Sequence, residues 1–291
     1  MKNFALVGAS GFIASKHFNA IKQTRNNLLI IHDINDTVGK IDSFFEDSYF
    51  TLSFNEFKRM IKQYKYKLDY LVICLPNYLH YNFIKIGLEN KLNVICEKPL
   101  VLKSSQLDKL KKLENKYKKK VNCIMQLRLD RSLIAQINKF KRSNDFLNVN
   151  VKYITTRGNW FLKSWKGDLK KSGSLTTNIG IHLFDFLIFS FGDIVKTKLI
   201  YNSSKTAKGV LFFKKAKVDW LISVDKKFLP KNSTLSSLRK MIIKNKTIDL
   251  SNKFTDLHTK SYINVLKNNG FGLEEVRKSL ELCEKLRNEK K

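Results

Sequence analysis

The sequence predicts a two-domain α/β protein, with an N-terminal doubly wound parallel sheet followed by a C-terminal α+β domain carrying a large, mostly antiparallel open sheet. Three observations predict it. Through residue 124, strand-like apolar runs alternate with helical segments, and each run is continuous, as strands covered on both faces require. Beyond that point the runs lengthen and begin to alternate apolar with polar residues, the mark of a sheet with one solvated face. The chain has 291 residues, 43% of them hydrophobic, which is too long for one small core and rich enough to bury two. We assign residues 1–124 to the first domain and 125–291 to the second.

The first strand is "NFALVG" (3–8), which runs straight into glycines. A helix from Ile13 to about Thr24 leads to "NLLIIHD", a second strand ending at Asp33. "LDYLVICLP" is a third strand, and "NVICEKP" a fourth after a helix around Tyr81–Asn90. A lysine-rich helix over 104–119 precedes the fifth, "VNCIMQL". In the second domain "LNVNVKYITTRG", "TKLIYN", "KGVLFF" and "KVDWLISV" read as strands. Between the first of these and the rest lies "NIGIHLFD" (Asn178–Asp185), read as one buried helix with Asn178, His182 and Asp185 on a single face. Leu273, Val276, Leu280, Cys283 and Leu286 repeat at helical spacing, giving a C-terminal helix at about 272–289.

Composition narrows the function classes. The net charge of +30 comes almost entirely from lysine spread along the whole chain, without the interleaved aromatic and arginine residues that bind single strands. No nucleic-acid partner is expected. Apolar runs fall short of the ~18–20 residues that span a bilayer, and "MKNFALVGASG" does not read as a secretory signal. A cytoplasmic protein without a membrane partner is therefore expected. The four cysteines have no C-x-x-C spacing, so neither disulfides nor a metal site is predicted.

"LVGASGFIA" follows the first strand directly and carries Gly8, Gly11 and Ala14, a G-x-x-G-x-x-A variant of the dinucleotide fingerprint. Small residues there let backbone N–H groups approach a pyrophosphate at a helix N-terminus. Gly8, Ser10, Gly11, Phe12 and Ile13 form this candidate cofactor turn. Asp33 closes the second strand where an acid bonds the adenosine ribose and repels a 2′-phosphate, so NAD is favoured over NADP. The third and fourth strands end in "CLPNYLH" and "CEKPL", which adds Pro76, Asn77, His80, Glu97 and Lys98 to the cofactor crevice.

These motifs, taken with "QLRL", "YITTRGNWF", "SWKGD", "SGSLTTNIGIHLFD" and "DLHTKSYINVLKNNGFGLEEVR", resemble the Gfo/Idh/MocA oxidoreductase family over essentially the full length. More narrowly they resemble its UDP-N-acetyl-2-amino-2-deoxyglucuronate dehydrogenases, which oxidise the sugar C3 hydroxyl to a ketone during surface polysaccharide (lipopolysaccharide) sugar biosynthesis. The resemblance implies a Rossmann domain carrying NAD, a second open-sheet domain and a homotetramer packed through those sheets. It also implies a catalytic pair, the lysine of "EKP" (Lys98) and the histidine of "G-x-H" (His182). Two departures stand out: Asn178 replaces an aspartate common in the wider family, and Asp130 replaces an expected histidine.

Oxidising a secondary alcohol needs a base for the hydroxyl proton. His182 titrates near neutrality without help, with Lys98 orienting the hydroxyl and stabilising developing alkoxide; the reverse assignment stays open. A UDP-sugar acid presents a diphosphate and a carboxylate, which arginine binds bidentately. Arg128, Arg157, Trp165, Asn178, His182 and Asp185 are the candidate substrate residues. A 2-oxo acid is a further candidate partner, for reoxidising NADH. Alternative readings are a related sugar or inositol dehydrogenase, or a dinucleotide-sensing regulator without turnover.

Overall fold

The run into the first glycines forms β1 (Asn3–Val7), and α1 (Ala14–Gln23) follows, burying Ala14, His17, Phe18, Ala20 and Ile21. Next come β2 (Asn27–His32), β3 (Tyr49–Thr51) and α2 (Phe54–Gln63), whose Ser53 cap accepts the Glu56 N–H. The rest of this sheet alternates: β4 (Tyr70–Ile73), α3 (His80–Glu89), β5 (Asn93–Cys96), α4 (Ser105–Tyr117) and β6 (Val121–Cys123). All pairings are parallel, in the order β3-β2-β1-β4-β5-β6. The order reverses between β1 and β4, which makes the carboxyl ends of those two strands the ligand-binding crevice. The three-residue strand β3 escapes sequence reading because it is too short to show a period.

This computed structural model describes residues 1–142, 145–231, 234–251 and 256–289. The chain forms two units, Met1–Met125 with Thr255–Arg277 and Gln126–Phe254 with Lys278–Lys291. The first unit thus takes in a C-terminal stretch as well as the N-terminal residues.

In the second unit, α5 (Arg131–Lys141) begins at Asp130, whose carboxylate accepts the Leu133 N–H. The residue that departs from the family pattern is therefore a helix cap. Strand β7 (Leu147–Thr155) leads through the short helices α6 (Trp160–Lys163), α7 (Leu169–Ser172) and α8 (Leu175–Asn178) to α9 (Gly180–Phe191). Strands β8 (Ile194–Asn202), β9 (Thr206–Phe213), β10 (Ala216–Ser223), β11 (Ser237–Ile243) and β12 (Lys246–Asp249) complete a sheet ordered β12-β11-β7-β10-β9-β8. Only β7 and β10 pair in parallel, so the sheet is mostly antiparallel as expected. The last two strands were not predicted: β11 is interrupted by the adjacent Arg239 and Lys240, and β12 spans four residues.

The single helix predicted through "NIGIHLFD" is two helices. Ile179 (φ −106°, ψ −45°) separates α8 from α9, and the chain bends by 44° there, so Asn178 does not share a helix with His182 and Asp185. Gly180 explains the close packing after the bend. A Cβ there would sit 2.8 Å from both Ile222 Cδ1 and the Phe184 ring. Phe184 in turn meets Trp220 edge to face, with ring centroids 5.0 Å apart, over the covered side of the sheet.

Beyond the second sheet, α10 (Leu257–Leu266) packs on α1, and its Tyr262 and Val265 join the core of the first unit. The closing helix α11 (Leu273–Asn288) matches the expected one within a residue at each end. Among the described residues, no single helix is long and apolar enough to cross a membrane. Replacing the fully buried Phe184 with alanine removes both the edge contact and the volume it fills. We expect a loss of about 3–5 kcal/mol, read from the denaturant midpoint of Trp220 fluorescence; an unshifted midpoint would contradict this packing.

Candidate active site

The cofactor turn is built by close approach of strand ends. Gly8 adopts φ +90°, and a Cβ on it would lie 2.8 Å from both the carbonyl carbon and oxygen of Cys74 at the end of β4. Only glycine satisfies both constraints. Gly8 N–H also donates to the His32 carbonyl oxygen, tying the ends of β1 and β2 together. At the start of α1, Ile13 supplies no side-chain cap, which leaves the helix N-terminus to an anion.

Asp33 is buried, and its Oδ2 accepts both the backbone N–H and the hydroxyl of Ser10 at 2.8 Å. Its Oδ1 accepts the Asn35 N–H at 2.9 Å. A carboxylate has about four acceptor sites, so these three bonds leave room for a ribose hydroxyl. The donor set and the cradle at Gly8 thus fit a dinucleotide. Phe12 stands 90% exposed at the tip of the turn, beside a residue that sequence reading missed: the Lys40 ammonium, which donates to the Gly11 carbonyl oxygen at 2.9 Å. Nothing in the loop around Lys40 marks it out among so many lysines.

Of the other cofactor candidates, Asn77 is buried in the turn after Pro76, and His80 braces the loops rather than presenting a free imidazole. Its ring nitrogens lie 2.7 Å from the Pro99 carbonyl oxygen and 2.8 Å from that of Leu75, and burial pushes its pKa down. Glu97 lies inside the first unit. Its Oε1 is 3.0 Å from Nε2 of both His17 and His258, while Oε2 accepts the Lys98 N–H at 3.3 Å. The Tyr262 hydroxyl lies 2.8 Å from His17 Nδ1. Lys98 itself stands half-buried between Glu97 and a cis-linked Pro99.

In the second unit, His182 is half-buried, three residues into α9. Arg128 and Asp185 were both expected to face substrate, and the structure joins them to each other. Arg128 Nε and Nη2 donate to Oδ2 and Oδ1 of Asp185 at 2.7 and 2.5 Å, with both side chains buried. Burial lifts the Asp185 pKa against the pull of Arg128 and a hydrogen bond from Ser279. Asp185 is thus engaged by Arg128 and Ser279. Asn178 is buried at the end of α8.

The loop before α8 gathers cations and aromatic rings. The Lys166 ammonium lies 4.6 Å from the Trp165 ring centroid and 5.3 Å from that of Trp160. Burial and the nearby Arg157 lower the pKa of Lys166, and burial together with Arg239 lowers that of Arg157. Arg239 on β11 donates to the Thr155 hydroxyl and covers the Tyr153 ring, with its guanidinium carbon 5.1 Å from the centroid. Sequence reading missed Arg239 because it missed β11. Such a half-buried positive cluster suits a multiply charged anion.

Three outcomes test this geometry. Gly8→Ala should weaken NAD binding at least tenfold in a calorimetric titration, and retained affinity would remove the turn from the cofactor site. Asp185→Ala leaves the Arg128 charge buried and uncompensated; the expected loss is about 3–5 kcal/mol by denaturant unfolding. The third concerns acid. Burial holds the His17 pKa down, so the folded state refuses a proton that the unfolded chain takes up near pH 6.5. Stability should therefore fall as pH drops through and below about 6.5, and His17→Gln should flatten that part of a melting-temperature profile.

Comparison with known proteins agrees with this geometry. Residues 2–124 match the Gfo/Idh/MocA description "Oxidoreductase family, NAD-binding Rossmann fold", and residues 145–227 match "Oxidoreductase family, C-terminal alpha/beta domain". The WlbA (WbpB) dehydrogenase from Thermus thermophilus, crystallised with NAD and alpha-ketoglutarate, is 35% identical, with a TM-score of 0.95 over 99% of this chain and 95% of that one. Its complex with NAD and UDP-GlcNAcA gives 34% identity and a TM-score of 0.95 over 100% and 96% of the two chains. A myo-inositol 2-dehydrogenase from Lactobacillus plantarum shares the fold alone, at 13% identity and a TM-score of 0.79 over 98% and 96%. The chain therefore belongs to the Gfo/Idh/MocA family of NAD-dependent oxidoreductases.

Proposed function

We propose that this protein oxidises the C3 hydroxyl of UDP-N-acetyl-2-amino-2-deoxyglucuronate (UDP-GlcNAcA) to the 3-keto sugar, in the biosynthesis of surface polysaccharide sugars. The observation that carries this reading is the full-length 34–35% identity to a dehydrogenase captured with NAD and that sugar nucleotide. The inositol dehydrogenase match is too distant to compete.

NAD supplies the carbon that accepts hydride. The protein's share is to hold the sugar and move one proton. His182 takes the C3 hydroxyl proton, while the Lys98 ammonium orients that oxygen and stabilises its developing negative charge. Arg157, with Lys166 and Arg239, binds an anionic group of the substrate, and Trp165 walls it. Asp33 and Ser10 hold the adenosine ribose, and the Gly8–Ile13 turn holds the pyrophosphate. A 2-oxo acid then serves as hydride acceptor in a second half-reaction, becoming a 2-hydroxy acid and restoring NAD; the alpha-ketoglutarate bound to the Thermus protein supports this.

The second sheet supports a homotetramer. Leu221, Phe212 and Ile242 lie on the face opposite Trp220, interspersed with Lys152, Lys208 and Lys217, in an arrangement that a second copy can cover. A tetramer mass by light scattering is the expected result. A cytoplasmic location fits four buried cysteines that form no disulfide and a nucleotide cofactor, and cell fractionation tests it.

The decisive experiment is incubation with UDP-GlcNAcA and NAD, with and without alpha-ketoglutarate, following NADH absorbance and the mass of the sugar nucleotide. A product lighter by two hydrogens, with 2-hydroxyglutarate formed when the oxo acid is present, is expected. An unchanged sugar nucleotide under both conditions refutes the reading. Lys98→Ala and His182→Asn should each lower kcat by about 10²–10⁴-fold; near-normal turnover in both would remove the pair.

A further inference from the structure

The strand-end pair "EK" of β5 splits into two roles inside one unit. Lys98 belongs to the proposed reaction, whereas Glu97 has turned inward and is 7% exposed. Its environment is built rather than incidental. Nε2 of His17, on the cofactor helix α1, and Nε2 of His258, on α10, both reach Oε1 at 3.0 Å, from positions 80 and 161 residues away in sequence. The two imidazoles meet edge to face with centroids 5.0 Å apart. Tyr262, one turn after His258, lies 2.8 Å from the remaining nitrogen of His17. The second carboxylate oxygen accepts the backbone N–H of Lys98.

A single proton arrangement satisfies every one of these contacts. Both Nε2 atoms carry hydrogen and donate to the carboxylate, and His17 Nδ1 accepts from the tyrosine O–H. The bonds from His17 and His258 hold the Glu97 pKa well below the usual carboxylate range despite its burial. Burial holds His17 in its neutral form. The same three side chains have the composition of a metal site, His17, Glu97 and His258, but each atom already has a hydrogen-bond partner. That favours an anchoring network.

We propose that Glu97 is a positioning residue for the reaction, a buried carboxylate that His17 and His258 fix in place so that it holds the backbone of Lys98 at the strand end. The proposal rests on the catalytic assignment of Lys98. Glu97 thereby links three elements: the helix that begins at the cofactor turn, the returning helix α10, and the lysine. Besides His17, His258 and Tyr262, the titratable groups around the carboxylate are Cys74 at the end of β4, His80 on α3 and Cys96 at the end of β5. None of these faces it with a carboxylate, so Glu97 carries the negative charge of this group.

The test compares Glu97→Gln, His258→Leu and Lys98→Ala in the full-length enzyme with NAD, UDP-GlcNAcA and alpha-ketoglutarate. Glu97→Gln keeps the shape and removes the charge, and His258→Leu loosens the anchor from the far side if the first variant folds poorly. NAD affinity should stay within about threefold, while kcat falls about 10- to 100-fold, the scale of a small misplacement of a reacting group. In Glu97→Gln, loss of the negative charge next in the chain makes the lysine ammonium less favourable. The limb of the kcat/KM profile that reports Lys98 should therefore move to lower pH, a shift that a purely structural defect would not produce. The proposal is overturned if Lys98→Ala is inactive while Glu97→Gln and His258→Leu turn over normally. It is also overturned if their kcat falls only in step with the folded fraction and both limbs stay in place. If Lys98→Ala turns over normally, the catalytic assignment itself fails, and the positioning role with it.

Discussion

The buried charge of Glu97 is the constraint on which the first unit turns. Removing a carboxylate from water costs several kcal/mol unless donors replace the lost hydration. Here the donors cannot come from neighbours in sequence, because the strand before Glu97 is the apolar "NVIC" and the residue after it supplies only a backbone N–H. They come from α1 and from α10. The second requires the chain to build the entire other unit and then return. The two parts of the discontinuous first unit thus meet at one acidic side chain, and Tyr262 and Val265 join them in the same core.

The crossing at Gly8 sets the other half of the geometry. With the ends of β1, β2 and β4 drawn together around a residue that has no room for a Cβ, the turn that follows is fixed relative to both Asp33 and the Pro76–Asn77 loop. The Ser10–Asp33 bonds then tie the turn to Asp33, the acid proposed to hold the ribose. The shape of this turn depends on backbone proximity first and on side-chain chemistry second.

The parallel sheet was legible because strands covered on both faces must be continuously apolar, and such runs differ from everything around them. The glycine turn before α1 was legible for a related reason: glycine before a helix, directly after such a run, has few other uses. The rest depended on partners that are distant in sequence. His258 reads as an ordinary helix residue until Glu97 is placed beside it. Arg128 and Asp185 each look like ligand-binding residues, and only the fold shows that they bind each other. Strands β3 and β12 were too short for a period, and in β11 the adjacent Arg239 and Lys240 break any alternation. The bend at Ile179 left no local sign, since every residue of "NIGIHLFD" except the glycine is compatible with a straight helix.

The second unit keeps its opposite charges paired where they are deepest and leaves its positive charges crowded where they are half-exposed. Arg128 and Asp185 neutralise each other in the interior. Burial and Arg239 lower the Arg157 pKa, burial and Arg157 lower that of Lys166, and aromatic rings lie against Lys166 and Arg239. Crowding like charges in a half-buried loop costs stability, and cation–π contacts of about 0.5–2 kcal/mol offset it only in part. A diphosphate or carboxylate placed among them converts that repulsion into attraction. On the proposed function, this cluster of cations is the part of the second unit suited to an acidic sugar nucleotide over an uncharged polyol.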